Sequence, residues 1–544
     1  MAGSQPVDEL RHVDTGSPSV ETTIANNLYI KFRSRFFPYS SQAFLEFEDG
    51  RVFTYAQLEE VSGRYACRLH QLGLRKGDRL LSQIDKTPEA VFLYLACLRA
   101  GILYVPLNTA YQPGEVAYFL ADSNPKAVVC HPEYCGTMAK LAAREGVFCV
   151  LTLGGDASGS FSEGIDGMDA HSPEVSVALD DPCLMLYTSG TTGRSKGALL
   201  THGQLWTKAS ALSQLWGWQH DDVLLHTLPI FHSHGLCLQM HTVLASGASM
   251  LFQSRFNAEN AVGLLPRSTV FTGIPTMYSR LLADPALGAE TCRNMRLFIS
   301  ASAPLSVENF NRFRERTGHT ILECWGTTET LTNASNPLVG ERRAGSVGRP
   351  VPAVELRIVD RERKPLPAGQ PGAIEVRTEP RFPGYWNKPE ETRDVVLPDG
   401  FFVTGDIGIL GEDGVLSIIG RTKDMIISGG YNIYPKEVET AIAHIDGVAD
   451  SAVIGVPDTD FGECVIAVIE CTSNRSSLSE SMVIGRLKRE MARFKVPKRV
   501  LIVDALPRNE LGKVQKNVLR EQYKNIAARD SGGALSAGEA SVGK

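Results

Sequence analysis

The stretch Leu186 to Gly197 reads LYTSGTTGRSKG. Just upstream and overlapping it, Leu184, Met185, Leu186 and Tyr187 form an apolar run suited to a short buried strand. Thr188, Ser189, Thr191, Thr192 and Ser195 follow, and their hydroxyls and backbone N–H groups can donate to anionic oxygens. Gly190, Gly193 and Gly197 are placed to let the backbone curl without Cβ clashes, and Lys196 adds a point charge. A strand running into such a loop is composed to grip phosphate. A Walker P-loop would carry glycine immediately before its lysine and Ser or Thr after it. Here Ser195 precedes Lys196 and Gly197 follows, so kinase-like and P-loop NTPase readings lose ground.

Outward from this loop, helical-period segments alternate with short β-branched runs from about Thr23 onward. Tyr55 to Leu72 reads as a helix, Arg79 to Gln83 as a strand, Pro88 to Ala100 as a helix and Tyr104 to Pro106 as a strand. That alternation predicts parallel sheets covered by helices, with two layered subdomains before residue 340. Ala353 to Ile358, Ala373 to Val376 and Leu416 to Ile419 predict a β-rich portion with turns at Asp360, Gly372 and Asp413-Gly414. Beyond Gly420 to Asp424 the pattern becomes a small α+β unit, with helices near Pro435 to His444 and Ser479 to Phe494. The fold class expected is therefore α/β: a large N-terminal domain of layered α/β subdomains plus a β-rich portion over 23–421, and a small α+β C-terminal domain over 422–528. Residues 1–22 and 529–544 read as disordered tails, the latter ending in small, polar SGGALSAGEASVGK.

At 544 residues the chain needs more than one core, and 43% hydrophobic with 21% charged residues is a globular composition. A formal charge of −6 with no basic segment gives no electrostatic case for a nucleic-acid partner. Eleven cysteines carry no CxxC pair, and the N-terminus shows neither a signal peptide nor an Arg-rich presequence, so a cytoplasmic protein with reduced thiols is expected, an organellar matrix remaining open. The longest apolar stretch, Ala90 to Leu107, is broken by Arg99 and Gly101, which predicts a buried helix and strand and no membrane span. His226, His232, His234 and His241 lie close in sequence, but no HExxH or CxxC pattern completes a zinc site.

Four further motifs follow the loop in order: WGTTETLTN (325–333), FFVTGDIG (401–408), GRTKD (420–424) and PRNELGKVQK (507–516). Over roughly residues 25 to 525 the chain thereby resembles the adenylate-forming enzymes, the superfamily of acyl-CoA synthetases, nonribosomal peptide adenylation domains and beetle luciferases. The resemblance implies an acid activated by ATP as an acyl-adenylate and passed to a thiol, with ATP, Mg²⁺ and CoA required. It implies that Thr188, Ser189, Gly190, Thr191, Thr192 and Gly193 cradle the triphosphate together with Lys196. Within the motif similar to YGxTE, Trp325 offers a flat face for adenine, Gly326 close backbone approach, Thr328 a phosphate contact and Glu329 a carboxylate for Mg²⁺. Asp406 would accept the ribose hydroxyls beside Arg421. Lys513 would bridge the substrate carboxylate and α-phosphate as charge builds, then leave as the C-terminal domain turns at the hinge Lys423. Ser428, Gly429 and Gly430 would then line a tunnel for the pantetheine arm.

On the acid side, LPIFHSHG (228–235) resembles the family's acyl-pocket motif, so His232 and His234 would orient or shield the acid. SASAPL (300–305) is similar to the SGSAPL of malonyl-CoA synthetases, as are TNASNP (332–337), AGSVG (344–348), YPKE (434–437) and FGE (461–463). That similarity puts Ser300, Ala301, Cys324 and Thr327 at the acyl pocket and Ser302, Ala303 and Pro304 on the nucleotide side, and it favours malonate or a related short dicarboxylate. Residues 323–329 read ECWGTTE where those synthetases show ERYGMTE, so a candidate arginine partner for a distal carboxylate is replaced by Cys324. Methylmalonate, another short, branched or aromatic acid, and a carrier protein in place of CoA remain open.

Overall fold

The computed structural model describes residues 24–526 other than 148, 172–173, 189–194, 429–430, 459–460, 473–477 and 510–511. Strand Arg79–Gln83 and helix Pro88–Ala100 have the bounds expected from periodicity, and helix Tyr55–Gln71 and strand Leu103–Pro106 differ from them by one residue. Helix Pro88–Ala100 shows why local signals were sufficient there. Thr87 accepts from the Ala90 N–H, proline occupies the first turn, and Gly101 at φ 66° stops the helix in a left-handed conformation. All thirteen residues are buried, so the helix is interior on every side. Its Arg99 is satisfied internally: the guanidinium donates to Tyr29 Oη, the Glu59 carbonyl and Ser62 Oγ, and lies 4.5 Å from the Tyr29 ring centroid. Among the described residues no helix is long and apolar enough to cross a membrane.

Two large sheets form the N-terminal domain. A six-stranded sheet runs Val150–Thr152, Ala127–Cys130, Arg79–Gln83, Leu103–Pro106, Pro182–Thr188, Lys196–Thr201, parallel except for the last antiparallel pair. The nine-stranded sheet has a parallel centre, Val223–His226, Val270–Gly273, Leu297–Ser300 and Leu322–Thr327, extended by the antiparallel strands Leu331–Ser335 and Arg349–Pro350. Its other edge is closed by Ser249–Phe252, Ala43–Phe47 and Val52–Thr54. The sheets are thus layered α/β units, and the site strands Pro182–Thr188 and Leu322–Thr327 come from different ones.

The β-rich portion is a four-stranded antiparallel sheet, Val354–Val359, Pro371–Thr378, Phe402–Leu410 and Leu416–Arg421. One expected turn is corrected here. Gly372 lies within strand Pro371–Thr378 opposite Gly408, where a Cβ would come 2.5 Å from the Val359 carbonyl oxygen. The glycine answers to close strand packing, which composition alone cannot distinguish from a turn. After Arg421, a five-stranded sheet carries helices Pro435–Ala443 and Glu480–Glu490 on one face and Lys516–Tyr523 on the other. An ion pair of 2.7 Å from Arg520 to Asp424 ties that last helix to the first turn of the domain.

Candidate active site

The two strands that flank the Lys196 loop are partners in one sheet. Strand Pro182–Thr188 pairs antiparallel with Lys196–Thr201, so Thr188 stands directly opposite Lys196. Ser189, Gly190, Thr191, Thr192 and Gly193 lie outside the described residues. Tyr118 fixes the returning end by donating to the Ser195 carbonyl at 2.7 Å. Gly197, expected to let the chain curl, is instead extended within the second strand. A Cβ there would come 2.6 Å from Met185 Sδ, so its lack of a side chain serves packing.

Glu329 sits where strand Leu322–Thr327 turns back into Leu331–Ser335. Gly326 is required by the turn, since a Cβ would fall 1.9 Å from the Leu331 carbonyl oxygen. Thr327 Oγ1 and Thr330 Oγ1 meet at 3.0 Å inside it, and Gln204 donates to the Glu329 carbonyl at 2.6 Å. The Glu329 carboxylate is buried and accepts from Tyr385 Oη at 2.8 Å. The same Tyr385 ring lies 5.2 Å from Lys196 Nζ, so one aromatic residue spans the lysine of the hairpin and the carboxylate of the turn. Backbone pairing holds Tyr385 there: it bridges to Ala198, the Leu199 N–H donates to the Gly384 carbonyl, and the Trp386 N–H donates to that of Gly197. Burial and the adjacent Glu329 carboxylate raise the Tyr385 phenol, so it remains a donor.

On the opposite side, Asp406 and Arg421 are partners across neighbouring strands, with Arg421 Nε 2.8 Å from Asp406 Oδ1. The other carboxylate oxygen accepts from Trp325 Nε1 at 2.9 Å, which fixes both the indole and the acid. Lys513 reaches this pair from the C-terminal domain. It sits in a tight turn where its N–H donates to Asn509 Oδ1 at 2.9 Å and Gly512 adopts φ 69°. A Cβ on Gly512 would lie 2.8 Å from Thr276 Oγ1, so the turn is seated on the N-terminal domain. Arg508 braces it from behind through Asp450 at 2.6 Å and Glu470 at 3.2 Å. Lys513 is exposed as a residue, but desolvation of its amine among these neighbours, with Arg421 and Lys423 adding to it against Asp406 and Asp424, pushes it down to about 8.

The four histidines diverge. His226 Nε2 pairs with the Gly235 carbonyl and His241 Nε2 with Tyr94 Oη, each at 2.9 Å. His234 opens a π-helix, His234–Met240, a geometry that periodicity does not signal. Its ring spans Ser302 Oγ at 3.0 Å and Thr272 Oγ1 at 2.8 Å. Burial holds His234 at about 3, and burial with Lys513 nearby holds His232 at about 4, so both are neutral at physiological pH. Ser302, Ala303 and Pro304 are at least partly exposed, Ser302 at φ 71°. Strand alternation separates the remaining acyl-side candidates. Ile299, Ala301 and Cys324 pack in the core shared with the π-helix, whereas Phe298 packs with Tyr278 and Phe313 on the opposite face. Ser300 shares the parity of Phe298, so its side chain faces away from Ala301 and Cys324.

The model of the AMP-binding enzyme family matches residues 35–386, more than half of the chain, and that of the AMP-binding enzyme C-terminal domain matches 437–513. The chain belongs to the AMP-binding enzyme family. It is an AMP-forming acid–thiol ligase working with ATP, Mg²⁺ and CoA. ATP-bound MatB from Rhodopseudomonas palustris is 44% identical, with a TM-score of 0.90 over 92% of this chain and 99% of that one. The apo form of that MatB gives a TM-score of 0.79 over the same share of each chain. The malonate–CoA ligase of Arabidopsis thaliana is 32% identical over 523 residues, 88% of this chain and 86% of that protein. A feruloyl-CoA synthase of Amycolatopsis sp is 34% identical over 482 residues, 87% of this chain and 94% of that protein.

The residues present in this AMP-binding enzyme fit Mg²⁺. Among the described residues no three His, Cys, Asp or Glu side chains form a metal cage. One buried carboxylate, Glu329, suits an ion that takes most of its octahedron from water and phosphate oxygens. Lys423 is exposed in the turn Thr422–Asp424, and Ser428 is buried at the end of strand Ile426–Ser428. Gly429 and Gly430 lie outside the described residues. A cleft of about 1590 Å³ opens beside Phe231, with Asn108 and Lys86 on its walls. Tyr385, Thr272 and Gln204 are site residues that the sequence reading missed. The tripeptide Gly384-Tyr385-Trp386 carries an aromatic signal, but nothing in its spacing ties it to Lys196 or Glu329.

Proposed function

We propose that the enzyme adenylates malonate or a related short dicarboxylate with ATP and then transfers the acyl group to CoA. The observation that carries this reading is the approach of Lys513, supplied by a separate domain, to the charges of Asp406 and Arg421. In this scheme Lys196 and the hairpin hold the phosphates and Glu329 holds Mg²⁺ against them. Thr328 reaches phosphate, Trp325 and Gly326 border adenine, and Asp406 with Arg421 takes the ribose. Ser302, Ala303 and Pro304 border the nucleotide. His232, His234, Ala301, Cys324 and Thr327 surround the acid. Lys513 neutralises charge as the carboxylate attacks the α-phosphate. The C-terminal domain then turns at Lys423, bringing the segment of Ser428 to the 1590 Å³ cleft as a route for the pantetheine arm.

Malonate as the acid draws support from the malonate–CoA ligase relative and the SASAPL segment. A second reading, an aromatic or branched acid with no second charge, is favoured by uncharged Cys324 and by the feruloyl-CoA synthase relative. Pyrophosphate release and AMP formation across short mono- and dicarboxylic acids, with CoA or a phosphopantetheinyl carrier as acceptor, test the scheme. CoA-dependent AMP formation with malonate or methylmalonate is expected; its absence with every acid would refute the ligase reading, and a carrier-only reaction would replace the acceptor.

Tyr385→Phe removes one hydrogen bond to a charged carboxylate while keeping the ring over Lys196. About a tenfold rise in the Mg²⁺ needed for half-maximal adenylation is expected, with little change in thioester formation from supplied acyl-adenylate. Equal loss in both half-reactions would show that the phenol acts only through folding.

A further inference from the structure

Lys208 is a buried lysine for which the adenylation scheme has no use. It lies on helix His202–Leu215 and is 4% exposed. Its ammonium makes one hydrogen bond, to the Thr332 carbonyl at 2.9 Å, and forms no ion pair among the described residues. Burying a cation without a counter-charge is costly, and burial pushes this amine down to about 7. A lysine kept there with two N–H donors to spare fits an anion that arrives from outside.

Its position says which anion. One turn earlier on the same helix, Gln204 holds the Glu329 carbonyl, and Thr332 stands opposite Gly326 across the strand pair. Leu205, Ala209 and Leu212, which flank Lys208 on its helix, pack in the same core cluster as Ala301 and Cys324. The π-helix begun by His234 packs on both helix His202–Leu215 and strand Leu331–Ser335. Lys208 therefore belongs to the wall of the acid side, on the face from which Ser300 is turned away. Cys324, buried in that wall with its thiol pushed up, brings no charge of its own.

We infer that Lys208 is the specificity-determining residue of this enzyme, its ammonium pairing with a second, distal carboxylate of the acid. The inference rests on the reading of the substrate as a short dicarboxylate and names the group that selects it. The two carboxylates then have separate partners: the reacting one meets Lys513, the distal one Lys208. The helix that presents Lys208 follows directly on strand Lys196–Thr201, so phosphate grip and acid selection are set by one continuous segment.

Lys208→Gln keeps a donor for the Thr332 carbonyl while removing the charge, and Lys208→Arg keeps the charge. Calorimetric titration of the full-length chain with malonate and with propionate is read beside AMP formation with each acid. Lys208→Gln is expected to weaken malonate binding by about 10- to 100-fold, to leave propionate binding and KM for ATP within twofold, and to be rescued largely by Lys208→Arg. Equal effects on the two acids, or none on either, would overturn the assignment and leave Lys208 a strut between helix and strand. Failure of the wild-type chain to bind malonate would overturn it too. Malonate binding that depends on Lys208 without AMP formation would preserve the assignment and sink the ligase reading instead.

Discussion

Lys513→Ala is expected to slow acyl-adenylate formation by about 10²- to 10³-fold, the range for removing one preorganised group that meets developing charge. Thioester formation from supplied acyl-adenylate and CoA is expected to stay near the wild-type rate, because in the proposed cycle the lysine has left before the thiol arrives. The turn that carries it is braced independently by Arg508 through Asp450 and Glu470, so the side chain can be truncated without loosening its support. Its protonation adds a second readout. Desolvation of the amine and the cations Arg421 and Lys423 bring it to about 8, and a lysine is charged below its pKa. Adenylation is therefore expected to fall as pH rises through about 8, and Lys513→Arg to lose that alkaline limb while retaining charge. Equal losses in both half-reactions, measured by single-turnover AMP and thioester formation, would remove Lys513 from the chemistry.

Glu329→Gln is expected to cost about 10²-fold in adenylation. The substitution preserves shape and a contact to Tyr385 but deletes the negative charge proposed to hold Mg²⁺. The loss is expected to be partly recovered at high Mg²⁺, since weaker metal affinity can be offset by mass action. A fall that no Mg²⁺ concentration relieves, with ATP binding intact by calorimetry, would assign Glu329 to another task. Compared with Tyr385→Phe, the larger effect is expected here because the carboxylate is proposed to touch the metal, whereas the phenol only orients the carboxylate.

The sequence was most legible where the physics is local. Thr87, Pro88 and Gly101 cap and stop a helix through groups a few residues apart, and its long run of apolar residues from Ala90 to Leu98 marks it as interior. The anion site proposed around Lys196 likewise rests on hydroxyls and glycines within one short stretch. Legibility ended where a residue's reason lies elsewhere in the chain. Gly197 and Gly372 look like turn residues, yet each sits in a strand because Met185 Sδ or the Val359 carbonyl occupies the space a Cβ would take. Ser300 lies in a segment similar to an acyl-pocket motif, and only strand parity tells that its side chain faces the core of Phe298.

By itself, then, the chain's order of residues determined the layered α/β architecture, the β-rich portion, and the motifs around Lys196, Glu329, Asp406 and Lys513, since periodicity and backbone chemistry act over a few residues. Tertiary structure alone decided that Tyr385 stands between Lys196 and Glu329, that Trp325 and Arg421 share Asp406, and that Lys208 is buried against the Thr332 carbonyl. Those meetings depend on strand register and helix packing between distant segments, which the cooperative burial of the whole core fixes and no short stretch encodes.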